Sequence, residues 1–479
     1  MEESPGDARP VAPGVIPSEA RNLALILGKV RRRSMIRKFM TVVAIITAAS
    51  VCPAHGQNTI AITGAKILTV THGVIENGTV LVEDGKISAV GADVQVPAGA
   101  QVIDARGKVV TPGLMDAGDA LGLVEIPAEQ ITVDSTEYTD PLHPELRVLD
   151  ALNPRSENLK VTRAAGITNA LSEPATGNLI AGQSAVIQLD GETVEQMVVK
   201  SPAALHINLG EASKLVYGPK NKPPETRMGQ MAMLRQEFLK AQHYQAEHEA
   251  YAKRQSEKKP ERKNDDGADS EEGRRFGPPG VDLKMEALVA ALQGKIPVVV
   301  HADRVSDLEM ALRLADEFHL RLILADAAAA WRLADQLATR KIPVIVGPIL
   351  EEPERMESVD VRLDNAERLY RAGVPIAIQT ATANDVRNLP FEVEYAIGNG
   401  LPESAALEAV TINPARFFGV DDRLGSIDPG KEANLLVLDG MPFHVKTHVV
   451  TELIGGRVVD LSNHQTELYK FYKAKYGIN

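Results

Sequence analysis

Ile296-Pro297-Val298-Val299-Val300-His301 is a short, β-branched apolar run that starts at a proline and ends at a polar residue. Such a run reads as a strand buried on both faces. Within the following Val305–Phe318, Leu308, Leu312 and Ala315 recur at three- and four-residue spacing, which predicts a helix with one apolar side. The alternation continues. Leu320–Ala325 is strand-like, Ala328–Thr339 helical, Ile342–Val346 strand-like, Arg362–Ala372 helical and Val374–Gln379 strand-like. Strands recurring at roughly 25–30 residues with helices between them predict parallel strands joined by crossover helices. Right-handed crossovers that close on themselves make a (β/α)8 TIM barrel. An open doubly wound sheet is the competing arrangement, but no glycine-rich dinucleotide fingerprint follows any of these strands.

Outward from this region, both ends of the chain are rich in short strands. Ala65–Val70, Gly78–Glu83 and Lys86–Val90 are dense in Val, Ile and Thr, with Asp84-Gly85 as a hairpin signal. Asn434–Leu438 and Val449–Ile454 repeat the pattern, and Gly455-Gly456 turns into Arg457–Val459. Residues 57–111 and 420–470 are therefore expected to form one small composite β-sandwich domain, flanking a barrel over 112–419. Thr226 to Gly280 interrupts the alternation. Met228–Lys253 is a long amphipathic helical stretch, and Arg254–Arg275 is charge-dense around Asp265-Asp266-Gly267. Residues of about 254–278 are expected to be a solvated, mobile insertion.

Composition narrows the function classes. At 479 residues with 44% hydrophobic content, the chain is long enough for a large core plus a smaller domain. A net charge of −12 argues against a nucleic-acid partner, which needs a basic face. The single cysteine, Cys52, excludes an intrachain disulfide framework and a multi-thiolate metal site. The N-terminal residues 1–56 read as an extension plus signal peptide. Arg37 and Lys38 precede the short apolar run Phe39–Val51, and Ala54-His55-Gly56 supplies small residues for cleavage before Gln57. Arg31-Arg32-Arg33 and the residues before them fit no export pattern, so Met35 is taken as the true start. The expected location is periplasmic or secreted, with no stable membrane span in the mature protein; an uncleaved membrane anchor is the lesser alternative.

The chemistry-bearing segment is Thr111-Pro112-Gly113-Leu114-Met115-Asp116-Ala117-Gly118-Asp119-Ala120. It resembles the first barrel strand of the amidohydrolase superfamily, whose signature reads Pro-Gly-apolar-apolar-Asp-x-His-x-His. Other stretches carry the same resemblance: Ala165-Gly166-Ile167-Thr168, Gly177-Asn178-Leu179-Ile180-Ala181-Gly182-Gln183, Thr411-Ile412-Asn413-Pro414-Ala415, and Gly425-Ser426-Ile427-Asp428-Pro429-Gly430-Lys431. From about Ile60 to Val459 the chain is similar to the imidazolonepropionase-like branch found in exported bacterial proteins. That resemblance implies one or two divalent metals (Zn, Mn or Mg) at the barrel mouth. Two histidines come from strand one, one each from strands five and six, and a catalytic Asp from strand eight. A carboxylated Lys or a Glu on strand four often bridges the metals.

By that resemblance, Gly118 and Ala120 stand where the strand-one histidines belong, and neither has a donor atom. His301 keeps the strand-five position. Asp326 replaces the strand-six His, and Ala381 replaces the catalytic Asp, so no catalytic residue is assigned. His206 and Glu211 lie in the strand-four region. A rebuilt site drawn from His301, Asp303, Asp326 and Asp116 offers one imidazole and three carboxylates to a hard cation. The alternative is that His301 is a hydrogen-bonded mouth histidine, Asp116 fixes a loop, and Asp326 pairs with Arg332 or Arg304. No nucleophile elbow, P-loop or glycosidase pair stands out. Two functions follow. One is a divergent metal-dependent hydrolase of non-peptide C–N bonds in cyclic or linear amides. The other is a non-catalytic homologue with no cofactor. It would bind a small molecule at the barrel mouth, or partner an intact paralogue or a second copy of itself. Loss of the hydroxide source and proton relay favours the second.

Overall fold

The computed structural model describes residues 59–257, 278–353 and 355–478. The expected leader in residues 1–56, the start at Met35 and Cys52 lie outside these, as does most of the charged run; its first residues, Arg254–Glu257, are the last turn of a helix.

Eight strands from the two ends of the chain make one sheet. They are β1 (Ile60–Leu68), β2 (Val74–Glu83), β3 (Lys86–Gly91), β4 (Gln101–Asp104), β5 (Val109–Pro112), β16 (Leu435–Leu438), β17 (Val449–Ile454) and β18 (Arg457–Val458). The order is β18-β17-β16-β5-β1-β2-β3, with β4 beside the first half of β1 and β5 beside its second half. The sheet branches at β1 and wraps a single apolar cluster that includes Ile62, Ile67, Val80, Val82, Val110, Leu435 and Leu453. Asp84 (φ 49°) and Gly85 (φ 83°) are both left-handed, the geometry a two-residue hairpin requires. Gly85 also lies against Gly456, where an added Cβ would come within 2.5 Å of the Gly85 Cα.

The middle of the chain forms an eight-stranded barrel. Its strands are β6 (Leu114–Asp119), β7 (Ile167–Ser172), β8 and β9 (Ile180–Gln183 and Ala185–Gln188, one run broken at Ser184), β11 (Leu205–Asn208), β12 (Val298–Ala302), β13 (Leu322–Asp326), β14 (Val344–Val346) and β15 (Ile376–Ile378). A short strand β10 (Val198–Lys200) pairs with β9 outside this ring. Ala381 N–H bonds Gly118 O at 3.0 Å and Ala120 N–H bonds Thr382 O at 2.9 Å, joining the last strand to the first. Seven strands run parallel. The third, β8–β9, runs antiparallel to both neighbours, which corrects the expectation of crossovers throughout. The cause is length. Only residues 173–179 separate β7 from β8, and a parallel crossover needs roughly a dozen residues or more.

Packing follows period two on the strands. Met115, Ala117, Leu171, Val186, Ala204, Val299, Ile323, Ile345 and Ala377 fill the barrel interior. Helix Val305–Phe318 covers the outside through Leu308, Leu312 and Ala315. The Ala328–Thr339 segment begins as a 3-10 turn (Ala330–Leu333) before the α-helix Ala334–Arg340. Helix Arg227–Glu257 buries Met231, Leu234 and Phe238 in its first half, where Phe238 stacks on Phe318 at 5.1 Å. The C-terminal part departs from the β expectation, because His464–Tyr476 is a helix. Among the described residues no helix is long and apolar enough to cross a membrane.

Glu452, on β17, is fully buried, and among the described residues neither of its carboxyl oxygens has a hydrogen-bond partner. Burial pushes its carboxyl well above the ordinary value of 4.5, and the charge of Arg163 only partly opposes this. The folded state therefore holds a proton that the unfolded chain releases above pH 4.5, so this residue makes stability fall as pH rises through and beyond that point. Replacing it by Gln should raise stability at pH 8 by ~1–3 kcal/mol and leave it nearly unchanged at pH 4. Equal melting shifts at the two pH values would refute this account.

Candidate metal centre

The interior parity of the barrel strands runs to their carboxyl ends, and on some strands just past them, and sets the site. Ala117 leads to Asp119, Leu171 to Glu173, Ala204 to His206, Val299 to His301, Ile345 to Gly347 and Ala377 to Gln379. Three of these converge. His206 Nδ1 lies 3.2 Å from His301 Nε2 and 3.4 Å from Glu173 Oε2, and His301 Nε2 lies 3.8 Å from Glu173 Oε1. All three side chains are buried, and their ligand atoms lie within 4.8 Å of one another.

Glu173 arrives through the short loop that forces β8 to run antiparallel, and its N–H bonds Asp119 O at 2.7 Å. Its carboxylate occupies space left open by Gly118. A β-bulge interrupts the β6–β7 register between Asp116 and Asp119, and a Cβ at Gly118 would come 2.5 Å from Gln379 Oε1 and 3.1 Å from both Glu173 oxygens. The volume beside Gly118 is thus filled by two side chains from neighbouring strands.

Asp326 and Gln379 brace His301. An ionised carboxylate only accepts, so His301 Nδ1–H donates to Asp326 Oδ2 at 3.2 Å and Oδ1 at 3.3 Å. Gln379 Nε2–H donates to Asp326 Oδ1 at 2.7 Å and to Gly347 O at 3.2 Å. Burial opposes the His301 charge, but Asp326 and Glu173 outweigh it and hold the imidazole up at about 9. Burial likewise opposes the Asp326 charge, and His301 and Gln379 still bring that carboxyl below its usual range. Burial pushes Glu173 up to about 8 against the charge of His301, and drives His206 well below its ordinary value, aided by His301. His206 is therefore neutral.

A cavity of about 230 Å³ opens above the cluster, walled by Asp119, Glu173, His301, Asp303, Asp326 and Arg355. Asp303 accepts from Ala328 N–H at 3.3 Å, and burial together with the Asp326 charge raises it to about 6. Asp119 accepts from Leu121 N–H through Oδ1, while its buried Oδ2 has no partner; burial and the Asp116 charge push it well above its ordinary value. Asp326 (φ 63°) and Ala381 (φ 54°) are both left-handed. Such backbone costs of order 1–3 kcal/mol each and gathers at functional sites.

Of the residues singled out in the sequence, His301 is in the cluster, Asp326 sits on its other nitrogen and Asp303 is on the cavity wall. Asp116 is elsewhere, which corrects its placement among the candidate ligands. It is fully buried and accepts from Thr380 Oγ1–H at 2.7 Å, Thr380 N–H at 3.1 Å and Gly118 N–H at 3.0 Å, fastening β6 to the residues after β15. Burial raises it to about 7. Asp326 does not pair with Arg332, which binds Asp360. Glu211 begins a helix beside Arg227 and Glu357. His206 joins the cluster, and Glu173 was missed. Its signal was Leu171, the inward residue two positions earlier on the same strand.

With this geometry described, the chain can be compared with known proteins. An amidohydrolase family model matches residues 220–461. The chain is 28% identical over 407 residues to amidohydrolase tasK of Hapsidospora irregularis, covering 79% of this chain and 39% of that protein. It is 25% identical over 418 residues to the imidazolonepropionase of Geobacillus kaustophilus (strain HTA426), covering 81% and 91%. The crystal structure of an amidohydrolase from Thermotoga maritima MSB8 superposes with a TM-score of 0.76 at 33% identity, over 84% of this chain and 99% of that one.

If Glu173 and Gln379 fill the Gly118 vacancy, Gly118→Ala should destabilise the protein by ~1–3 kcal/mol through overpacking. Adding Gln379→Ala removes the shortest contact, so the double variant should lose less than the sum of the single losses. Strict additivity in thermal or urea melts would show that the two positions do not compete for space.

Proposed function

The chain belongs to the amidohydrolase family, in its imidazolonepropionase-like branch, and we propose that it hydrolyses non-peptide C–N bonds of a cyclic or linear amide at a rebuilt single-metal centre. The observation that carries this reading is the buried triad Glu173, His206 and His301. The 3.2 Å between its two imidazole nitrogens resembles the edge of a tetrahedral zinc site, roughly 3.3 Å for bonds of about 2.0 Å, and one donor atom from each of the three residues lies within 4.8 Å of the others. Two neutral-capable imidazoles and a carboxylate are a catalytic donor set that leaves one position open, and the unpartnered Glu173 Oε2 supports the fit. When bound, a divalent cation such as Zn2+ or Mn2+ supplies Lewis acidity and a water that ionises near neutral pH.

The remaining steps belong to the chain. Asp326 holds the His301 proton on Nδ1 and so presents the Nε2 lone pair to the centre; Gln379 keeps Asp326 in place. Asp119 takes the part of the missing strand-eight carboxylate. It follows Gly118, whose carbonyl bonds Ala381 N–H; the residue lines the cavity, and among the described residues its buried Oδ2 has no hydrogen-bond partner. As water adds to the amide carbon and the C–N bond breaks, Asp119 gives its proton to the departing nitrogen and takes one proton from the water in its place, giving a carboxylic acid and an amine. The cavity limits the reacting part of the substrate to a small molecule.

A second reading, a non-catalytic binding or partner subunit of an intact paralogue or of a second copy, draws on Gly118, Ala120 and Ala381 in place of family ligands. Elemental analysis after incubation with Zn2+ or Mn2+ and desalting separates the two. The metal reading expects about one equivalent retained, lost in His301→Ala and weakened about tenfold or more in Glu173→Gln. Asp119→Asn should retain metal while turnover of a substrate found by amide screening falls by about 100-fold or more. A wild-type protein that retains no metal would refute the rebuilt centre and leave the non-catalytic reading standing.

A further inference from the structure

The helix His464–Tyr476 makes little use of the rest of the protein. None of its residues is buried. Its start is fixed locally: Asn463 accepts from Thr466 N–H at 3.1 Å and Thr466 Oγ1 accepts from Asn463 N–H at 2.9 Å, a reciprocal cap. Beyond that turn, Leu468, Tyr469, Phe471, Tyr472 and Tyr476 are between 41% and 65% exposed. At 3.6 residues per turn these five fall on one side of the helix, while Thr466, Glu467, Lys470 and Lys473 fall on the other.

The exposed rings are ordered against one another. Phe471 meets Tyr472 edge-on at 5.2 Å, and Tyr472 stacks on Tyr476 at 6.1 Å. Lys475 Nζ stands 5.6 Å from the Tyr476 ring centre and 5.8 Å from that of Tyr472, and Lys473 Nζ is 5.9 Å from Tyr469. Thr466 also lines a cleft of about 500 Å³ whose walls include Phe391, Phe443, Val445, Val449 and Leu461. Phe391 and Val445 are themselves exposed. The cleft thus meets the helix on its Thr466 side, and the ring-bearing side faces away from it.

Charge selects the occupant. In a chain of net charge −12, this helix carries Lys470, Lys473 and Lys475 against Glu467 alone. Lysine is depleted from the centres of protein interfaces, where aromatic residues are enriched. At a lipid surface the two belong together: tyrosine and phenylalanine settle at headgroup depth, and lysine stems lie along them with the ammonium reaching phosphate. We propose that the ring-bearing side of this helix, with its lysines, docks the protein on an anionic lipid surface.

The test is sedimentation of the purified full chain with vesicles of equal parts phosphatidylglycerol and phosphatidylcholine, and with vesicles of phosphatidylcholine alone. Binding is expected only to the anionic vesicles and should weaken as salt is raised. Combined Lys470→Glu, Lys473→Glu and Lys475→Glu should weaken it on the order of 100-fold. Combined Tyr469→Ser, Tyr472→Ser and Tyr476→Ser should abolish it. Because no residue of the helix is buried, both variants should melt with the wild type. The proposal is overturned by no binding to anionic vesicles, by equal binding to neutral ones, or by binding that survives charge reversal. It is equally overturned if the wild type binds no vesicle but is a dimer that the tyrosine variant splits, which would make this face a contact between copies.

Discussion

Asp116 holds the barrel shut. Its carboxylate, without access to water, takes hydrogen bonds from the backbone and hydroxyl of Thr380 and from the backbone of Gly118. A buried carboxylate left without partners costs far more than it contributes, so this residue is tolerated because both strands serve it. The consequence reaches the site directly. Gly118 and Gln379 flank the two anchor points, and both define the space into which Glu173 turns. The same family signature that reads as a metal motif in sequence therefore serves here as a closure device.

Electrostatics at the mouth follow from that closure. Asp119, Glu173, Asp303 and Asp326 crowd around His301, with Arg355 at the rim. Such a concentration of carboxyls is disfavoured in the charged form. The chain relieves it by ionising one of them against His301 and raising the pKa of others. A cation at the triad would relieve the rest. The arrangement thus has the character of a site whose lowest-energy occupant is positive, whether a proton or a metal.

Much of the fold was legible in the sequence because period and turn chemistry are local. Val305–Phe318 and Val449–Ile454 lie where their patterns place them, and the Asp84-Gly85 hairpin follows from two left-handed residues. The reversed third strand was not legible from strand spacing alone; it required counting the residues between β7 and β8. The site divides in the same way. His301 and Asp326 were singled out because their positions in the family pattern are occupied by side chains with donor atoms; the structure puts His301 in the cluster and Asp326 outside it, on His301 Nδ1. Glu173 could not be found by that route, since it fills the place of a strand-one histidine from strand two. Asp116 was misplaced for the converse reason: a conserved-looking position says where a residue sits along a strand, and only the bulge after it shows which way its side chain turns.

The glycine at position 118 also ties three positions into one unit. With Glu173 and Gln379 seated against it, any side chain placed there would set new atoms on both of them. Positions 118, 173 and 379 therefore answer for one another, and a change at one has to be matched at the others, whereas the cavity rim, where side chains face open space, can be altered residue by residue.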